Sequence, residues 1–151
     1  MPSFSSDDRT SKTDYNPDGS VARTYDPEGN YATYSYDALG RLSSVRDPLG
    51  NETRTSYDRR GLAVLTQSVG NDGKTVSVRK AYDKDGRLTE TRQSEGGTDL
   101  VTRAVYDRLG NVVSKTDAEG NSASYSYDYR GLVLSETDAL GGTVSRTYDV
   151  A

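Results

Sequence analysis

Seven tyrosines divide the chain into units of nearly constant length, and this repeat constrains the fold more than any other feature. They are Tyr15, Tyr36, Tyr57, Tyr82, Tyr106, Tyr127 and Tyr148. The successive gaps are 21, 21, 25, 24, 21 and 21 residues. A period of this length is typical of an array in which each unit packs on its neighbours, and not of a single globular core.

Each of these tyrosines begins a short motif. Six are followed by Asp and one by Asn16, and a glycine stands four residues after every Tyr except Tyr148, where the sequence ends first. We expect the motif residues to be the structural positions of the repeat. They are Tyr15, Gly19, Tyr36, Asp37, Gly40, Tyr57, Asp58, Gly61, Tyr82, Asp83, Gly86, Tyr106, Asp107, Gly110, Tyr127, Asp128, Gly131, Tyr148 and Asp149.

A second motif lies midway between the tyrosines. Asp26, Asp47, Asp117 and Asp138 each stand 11 residues after a repeat tyrosine, and each begins an Asp-x-x-Gly sequence. The 21-residue unit is therefore two half-units, each with its own turn. We call the turn after the repeat tyrosine the YD turn and the other the midway turn.

Asp-x-x-Gly is typical of a tight hairpin. The Asp side chain accepts backbone hydrogen bonds at the first position of a type I turn, and Gly supplies the positive φ that closes the hairpin through a bulge. Pro27 and Pro48 stand second, where their fixed φ fits. The residues between turns are rich in Thr, Ser, Val, Tyr and Arg, which is strand composition. The sequence thus predicts an all-β fold of short antiparallel strands.

The packing of these strands follows from one column of residues. Counting the repeat Tyr as position zero, position six is apolar in every unit. It is occupied by Val21, Leu42, Ala63, Leu88, Val112 and Val133. We expect this column to face inward, within a tyrosine-rich interior in which stacked units align Tyr with Tyr and aliphatic with aliphatic.

The units that begin at Tyr57 and Tyr82 are longer than the others by four and three residues. Two extra residues in each strand of the first keep the facing pattern, because side chains alternate with a period of two. The three extra residues of the second predict a bulge or a looser loop near Gly96 and Gly97.

Composition limits the function. Hydrophobic residues make up 32% of the chain, and the mean hydropathy is −0.83, which suits a disordered chain better than a compact two-layer core. A net charge of only −4 and 12 Tyr favour order instead. Because Cys and His are absent, the usual zinc sites and nucleophile pairs are excluded. The sequence predicts no cofactor and no enzyme activity, and its pI of about 4.9 disfavours nucleic acid.

Three patterns resemble functional sites. Asp14 to Gly19 imitates the start of a calcium loop, but Tyr25 stands where a bidentate Glu is needed, which favours a turn. Carboxylate pairs such as Asp83 with Asp85 could serve acid–base chemistry, yet a turn role explains every copy. Rows of exposed Tyr could bind carbohydrate, against the alternative that they only pack.

The motif Tyr-Asp-x-x-Gly-Arg-Leu, at residues 36–42 and 82–88, together with Thr-Asp-x-x-Gly-Asn at residues 116–121, resembles the Rhs or YD repeat. The resemblance covers residues 15 to 149. It implies a sheet of hairpins that spirals into a hollow shell, a β-solenoid-like array. Such shells occur in bacterial Rhs proteins, in the encapsulating component of insecticidal toxin complexes and in the extracellular region of teneurins. There the shell holds a toxin or supports cell-surface adhesion.

The chain also departs from that family pattern. Asp47-Pro48-Leu49-Gly50 is close to the family's self-cleavage motif, but Asn51 follows and the segment occupies an ordinary midway turn. No toxin domain or shell plug is visible. We expect residues 1–14 to be a polar leader or an incomplete preceding repeat, and residues 15–151 to be an array of about six and a half units.

These features predict a non-enzymatic structural protein that forms part of a shell or of an extracellular scaffold or filament. The alternatives are the encapsulating part of an Rhs-type secreted toxin, and an adhesion or carbohydrate-binding module. The expected partners are neighbouring repeats or a second copy, an encapsulated toxin, or a cell-surface glycan or receptor. We expect no membrane span and a location outside the cell, although the segment shows no signal peptide.

Overall fold

The computed structural model describes residues 10–149, which form thirteen β-strands and no helix. The strands are β1 Lys12–Tyr15, β2 Val21–Tyr25, β3 Tyr31–Tyr36, β4 Leu42–Arg46, β5 Glu52–Tyr57, β6 Ala63–Val69, β7 Thr75–Tyr82, β8 Leu88–Glu95, β9 Thr98–Tyr106, β10 Val112–Thr116, β11 Ser122–Tyr127, β12 Val133–Thr137 and β13 Thr143–Ser145. Strand composition between turn signals is enough to place nearly all of them.

The chain divides into two compact parts, an N-terminal part (Met1–Ser77) and a C-terminal part (Val78–Ala151), and the boundary falls within β7. In the N-terminal part, each strand from β1 to β6 pairs antiparallel with the next one along the chain. In the C-terminal part, the strands from β8 to β13 do the same. The prediction of an all-β array of antiparallel hairpins is confirmed.

Both kinds of turn close in the same way. In the YD turn after β3, the Gly40 N–H donates to the Asp37 carbonyl at 2.9 Å, and the Asp37 N–H donates to the Arg41 carbonyl at 2.8 Å. Gly40 has a φ of +75°, which L side chains rarely adopt. This is a type I turn followed by a glycine bulge, and the strand register shifts beside it, between Ser35 and Tyr36.

The two longer units lengthen their strands by different means. β6 and β7 have seven and eight residues, two more each than β4 and β5, as predicted. The expectation of a bulge or looser loop in the next unit is wrong. Glu95 pairs directly with Thr98, and Gly96 and Gly97 alone form the turn, with φ of +56° and +87°. Two consecutive positive φ values match a type I′ turn, which replaces a five-residue loop and leaves three more residues for each strand.

The expectation of a buried interior is wrong for the described residues. None of residues 10–149 is buried, and the position-six residues are half-buried or exposed; Leu42 is 38% exposed and Leu88 36%. In each of the two compact parts the strands form one layer of sheet, so neighbouring side chains cover only part of each residue. The apolar area buried within each part is therefore small, and hydrogen bonds contribute a larger share of its stability.

The expected alignment of the repeat tyrosines with one another in neighbouring strands is also wrong. Five repeat tyrosines stand opposite the position-six residue of their own hairpin, as Tyr36 opposite Leu42 and Tyr127 opposite Val133. Antiparallel pairing across the YD turn forces this, because position zero and position six flank the same turn. Across these YD turns an aromatic residue therefore faces an aliphatic one.

The predicted boundary at residue 15 stays a prediction. β1 already begins at Lys12 and pairs with β2, and residues 1–9 of the proposed leader lie outside the described residues.

Replacing a turn glycine tests the bulge. A Cβ at Gly40 would meet nothing within 4 Å, so Gly40→Ala adds only the strain of positive φ in an L residue. We expect a loss of about 1–2 kcal/mol in the free energy of unfolding, measured by urea denaturation. Leu39→Ala at the exposed tip of the same turn is the control, with an expected change below about 0.5 kcal/mol. Equal losses for both variants would contradict the assignment.

Candidate functional site

The aspartates of the turns are the most heavily hydrogen-bonded side chains of the protein. The Asp37 Oδ1 atom accepts the N–H groups of Leu39 and Arg41 at 2.9 and 3.0 Å. The same pair of bonds occurs at Asp47, Asp58, Asp83, Asp107, Asp117, Asp128 and Asp138. One carboxylate oxygen thus satisfies two backbone donors that the turn leaves without a ladder partner.

The second oxygen of the carboxylate receives a side-chain donor from the residue after the glycine. In the midway turns this donor is an Asn amide, as from Asn51 to Asp47 at 2.7 Å and from Asn121 to Asp117 at 2.9 Å. In two YD turns it is an Arg guanidinium, from Arg41 to Asp37 and from Arg87 to Asp83. The Asp-x-x-Gly-Asn and Asp-x-x-Gly-Arg sequences therefore encode the same contact.

These bonds favour the ionised carboxylate. The backbone N–H of Arg41 is the largest cause that lowers the pKa of Asp37, and the Asn51 side-chain amide is the largest for Asp47. The pKa is lowered in the same direction at Asp26, Asp58, Asp83, Asp107, Asp117 and Asp128. A set of carboxylates held ionised in this way suits a structural role better than proton transfer near neutral pH.

The hydroxyl groups of the repeat tyrosines join consecutive units. Tyr36 donates its O–H to the backbone carbonyl of Val21 at 3.1 Å, and Tyr57 donates to that of Leu42 at 2.8 Å. Tyr106, Tyr127 and Tyr148 bond in the same way to Leu88, Val112 and Val133. Each acceptor is the position-six residue of the preceding unit, so the same column that pairs with one Tyr accepts a bond from the next.

Arginine adds a second link between units. The Arg41 guanidinium holds Asp37 of its own turn, donates to the backbone carbonyl of Asp58 at 3.0 Å and lies 4.6 Å from the centre of the Tyr57 ring. Arg87 repeats this arrangement on Asp83, on the Asp107 carbonyl and on Tyr106. Each guanidinium therefore combines an ion pair, a hydrogen bond and a cation–π contact.

In two repeats Leu follows the turn glycine, and the arginine that binds the turn carboxylate stands before the glycine instead. Leu62 and Leu132 take the position of Arg41, and Arg60 and Arg130 stand two residues earlier, just before the glycine. Arg60 binds the Asp58 carboxylate at 2.9 Å, and Arg130 binds that of Asp128 at 2.8 Å. Arg130 also reaches the Asp149 carbonyl at 3.5 Å. The guanidinium thus reaches the same carboxylate from either of two sequence positions.

Besides the turn at Gly96 and Gly97, three turns depart from this carboxylate pattern. After β1 the turn begins with Asn16, and the Asp18 carboxylate accepts from Ser20 instead. Gly70 replaces the turn Asp before β7, where a Cβ would lie 2.6 Å from the Asp72 carboxylate that takes over the role. Gly142 replaces the Asn beside Asp138, and a Cβ there would lie 2.7 Å from that carboxylate.

The sequence patterns that resemble metal or catalytic sites are engaged in the sheet and its turns. Asp14 lies in β1 and pairs with Lys12 at 2.9 Å, while Asp18 bonds Ser20. The Arg87 guanidinium binds both Asp83 and Asp85. Asp47, in the segment close to the self-cleavage motif, is held by Leu49 and Asn51. No cluster of three or more metal-ligating side chains occurs among residues 10–149.

The described part of the chain also contains no helix that is long and apolar enough to span a membrane.

Sequence reasoning located the Tyr, Asp and Gly of the repeat but missed the bonds that connect one unit to the next. The Tyr hydroxyl bonds were not foreseen, because their acceptors are backbone carbonyls of a preceding unit. The sequence did contain a signal for the arginine contact. Arg follows the turn glycine at Arg41 and Arg87, and in the two repeats where Leu follows the glycine, Arg precedes it.

Comparison with known proteins agrees with this geometry. The family model described as RHS Repeat matches residues 15–52, 36–68 and 106–143, which together make up more than half of the chain. No curated protein sequence matches.

Solved structures show the same fold. The chain aligns with a crystal structure of TcdB2-TccC3-TEV at 21% identity and a TM-score of 0.64, over 85% of this chain and 7% of that one. It aligns with TcdB2-TccC3-Cdc42 at 19% identity and a TM-score of 0.63, over the same shares. It also aligns with a Tc holotoxin pore of Photorhabdus luminescens at 14% identity and a TM-score of 0.60, over 89% and 9%. The chain thus spans less than a tenth of the length of these solved chains.

The tyrosine bond is tested by removing one oxygen. Tyr127→Phe leaves the ring but breaks the 2.7 Å bond to the Val112 carbonyl. We expect a loss of about 0.5–1.5 kcal/mol in the free energy of unfolding, measured by urea denaturation. Tyr129→Phe, at a side chain that is 82% exposed, is the matched control and should change nothing measurable. A neutral Tyr127→Phe variant would show that the bond does not hold the units together.

The arginine is tested by moving it along the chain. We expect Arg130→Leu to lower the thermal midpoint by about 2–4 °C, because Asp128 loses its guanidinium partner. Adding Leu132→Arg should restore the midpoint, since Arg reaches the turn carboxylate from that position at Arg41 and Arg87. Leu132→Arg alone should give no comparable gain, because the carboxylate already has its partner. If the double variant is no more stable than Arg130→Leu, the two positions are not equivalent.

The turn carboxylates predict a dependence of stability on pH. Their pKa in the folded state lies below the unfolded value of 3.8, so the unfolded chain binds more protons at low pH. The stabilisation is present above pH 3.8 and is lost as the pH falls through the lower folded values. We expect the thermal midpoint, measured by circular dichroism at constant ionic strength, to fall steeply from pH 4 to pH 2. An unchanged midpoint over that range would contradict the role of the carboxylates.

Proposed function

The chain belongs to the RHS repeat family, and on that premise we propose that it is a non-enzymatic structural segment of an extracellular β-sheet shell. The observation that carries the proposal is the use of the motif residues. Five of the repeat Tyr hydroxyls, the turn carboxylates and the arginines that hold those carboxylates bond to backbone or to one another, and several of these bonds join one repeat to the next. A catalytic role for these side chains would break the hydrogen bonds that hold the sheet together.

A wall built in this way extends by adding hairpins. Directly after β13, the Arg146 N–H donates to the Leu134 carbonyl of β12 at 2.8 Å. Because the N–H groups of a strand alternate in direction, those of Thr143 and Ser145 point away from β12. Such an edge suits pairing with a further strand, which is either the next repeat of a longer chain or a second copy.

The expected partner of such a shell is an enclosed toxin. The solved structures with this fold are of TcdB2 with TccC3 and of a Tc holotoxin pore. This likeness, together with the implication of the repeat, supports an encapsulating role over adhesion. The corresponding proposal for this chain is that its sheet forms part of the wall around a cargo outside the cell that produces it.

Association at the sheet edge is directly testable. We expect the purified chain to assemble with rising concentration, as measured by light scattering and electron microscopy. Ser145→Pro should reduce assembly at least several-fold, because it removes an outward N–H from β13. Ala139→Pro is the matched control, since Pro already stands at the equivalent turn position at Pro27 and Pro48. Hollow particles would support encapsulation, fibres would favour an open scaffold instead, and monomers at all concentrations would overturn association through this edge.

A further inference from the structure

A groove in the N-terminal part, Met1–Ser77, contains side chains that take no part in the recurring bonds of the repeat. It is open, has a volume of about 510 Å³, and its lining includes Asn30, Tyr31, Thr33, Arg46 and Asp47. These residues come from β3, β4 and the two midway turns beside them. Tyr31 and Arg46 are not motif residues, and neither has an equivalent side chain in every unit.

Arg46 is the charged group of the groove. Among the described residues, none forms a hydrogen bond or a close ion pair with its guanidinium, and the side chain is exposed. Its cross-strand neighbour Glu52 binds Arg54 through both carboxylate oxygens, at 2.8 and 2.9 Å, and accepts the Ser44 hydroxyl at 2.8 Å. Arg46 therefore keeps its planar set of donors available while Glu52 is engaged elsewhere.

A second arginine strengthens the positive field. Thr33 pairs with Arg46 on one side and with Arg23 on the other, so these three residues lie on one face of the sheet. Opposite residues in neighbouring strands lie about 5 Å apart, which places Thr33 between two guanidinium-bearing strands. The row ends in one carboxylate on each side, Asp14 beyond Arg23 and Glu52 beyond Arg46. Each already has a cationic partner, since Lys12 lies 2.9 Å from Asp14 and Arg54 binds Glu52. An anion above Thr33 is therefore favoured over a cation.

Tyr31 supplies an aromatic surface beside this charge. Its ring is 5.5 Å from that of Tyr25, and the Arg23 guanidinium lies 5.2 Å from its centre, so its β2 side is occupied. The side chain is still 46% exposed, and it lines the groove on the β4 side. The Asp47 carboxylate, which also lines the groove, is held by Leu49, Asn51 and the Asn51 amide, so it does not neutralise Arg46 by direct contact.

From this arrangement we infer that the groove binds an acidic carbohydrate, with the carboxylate of a uronic acid on Arg46 and the sugar ring against Tyr31. A guanidinium binds a carboxylate through two parallel hydrogen bonds, and the apolar face of a sugar packs on an aromatic ring. Thr33 and Asn30 offer hydrogen-bonding groups for sugar hydroxyls. The groove has no deep apolar pocket for a peptide side chain, which favours the carbohydrate over an acidic peptide. The site goes beyond the proposed shell role and does not depend on it.

Binding to a shallow, open groove is expected to be weak. We expect trigalacturonate to bind with a Kd of about 1 mM, measured by NMR titration, and neutral maltotriose to bind at least tenfold more weakly. Arg46→Gln and Tyr31→Ala should each weaken trigalacturonate binding about tenfold or more. Arg46→Lys should recover only part of the loss, because lysine keeps the charge without the planar pair of donors.

The controls separate this site from general attraction of anions. Tyr129 is an exposed ring with an arginine beside it, Arg130 at 5.6 Å, and it stands outside this groove; Tyr129→Ala should bind as the unaltered protein does. Unchanged thermal midpoints would show that the variants remain folded. Equal binding of penta-glutamate or inorganic phosphate would overturn the assignment to carbohydrate. Trigalacturonate binding that survives both Arg46→Gln and Tyr31→Ala would overturn the site itself.

Discussion

The bonds of the turn carboxylate are the interaction on which the rest of the structure depends. One oxygen of Asp37 binds two backbone N–H groups of its turn, and the other receives Arg41. This fixes the bulge, and the bulge fixes which residues of the two strands stand opposite each other. Because Tyr36 and Leu42 flank the turn, the same geometry places the repeat tyrosine opposite the position-six residue. The unit is stabilised from its hairpin tips more than from any apolar centre, since none of residues 10–149 is buried.

The tyrosine and the arginine make an array out of these hairpins. The tyrosine hydroxyl reaches back to the preceding unit, from Tyr127 to the Val112 carbonyl, while the arginine of a YD turn reaches forward, from Arg41 to the Asp58 carbonyl. Within Met1–Ser77 and within Val78–Ala151, neighbouring repeats are therefore bonded through backbone acceptors that every sequence provides. This explains why position six tolerates Val, Leu and Ala, whereas the donor side chains recur. A sheet held in this way leaves both faces free to vary, and the groove beside Tyr31 and Arg46 lies on one of them.

Most of the fold followed from the sequence, because turn chemistry is local. Asp, Gly and their spacing placed the hairpins, and the strand lengths followed. The turn at Gly96 and Gly97 was misjudged because a type I′ turn and a wider loop differ in register, which the residue count alone does not resolve. The interior was misjudged for a different reason. An apolar column such as position six predicts burial, but its exposure depends on whether a second layer of the protein packs against the sheet.

By itself the sequence determined the period, the two kinds of turn, the antiparallel strands and the family, since each rests on short contiguous motifs that recur along the chain. Only the tertiary structure decided that the repeat Tyr faces an aliphatic residue across the YD turn, and that its hydroxyl bonds a carbonyl 15 or 18 residues earlier in the chain. It also decided that Arg60 and Arg130 serve in place of an arginine after the glycine. These contacts depend on strand pairing between hairpins, and distance along the chain does not reveal which atoms that pairing brings within 3 Å.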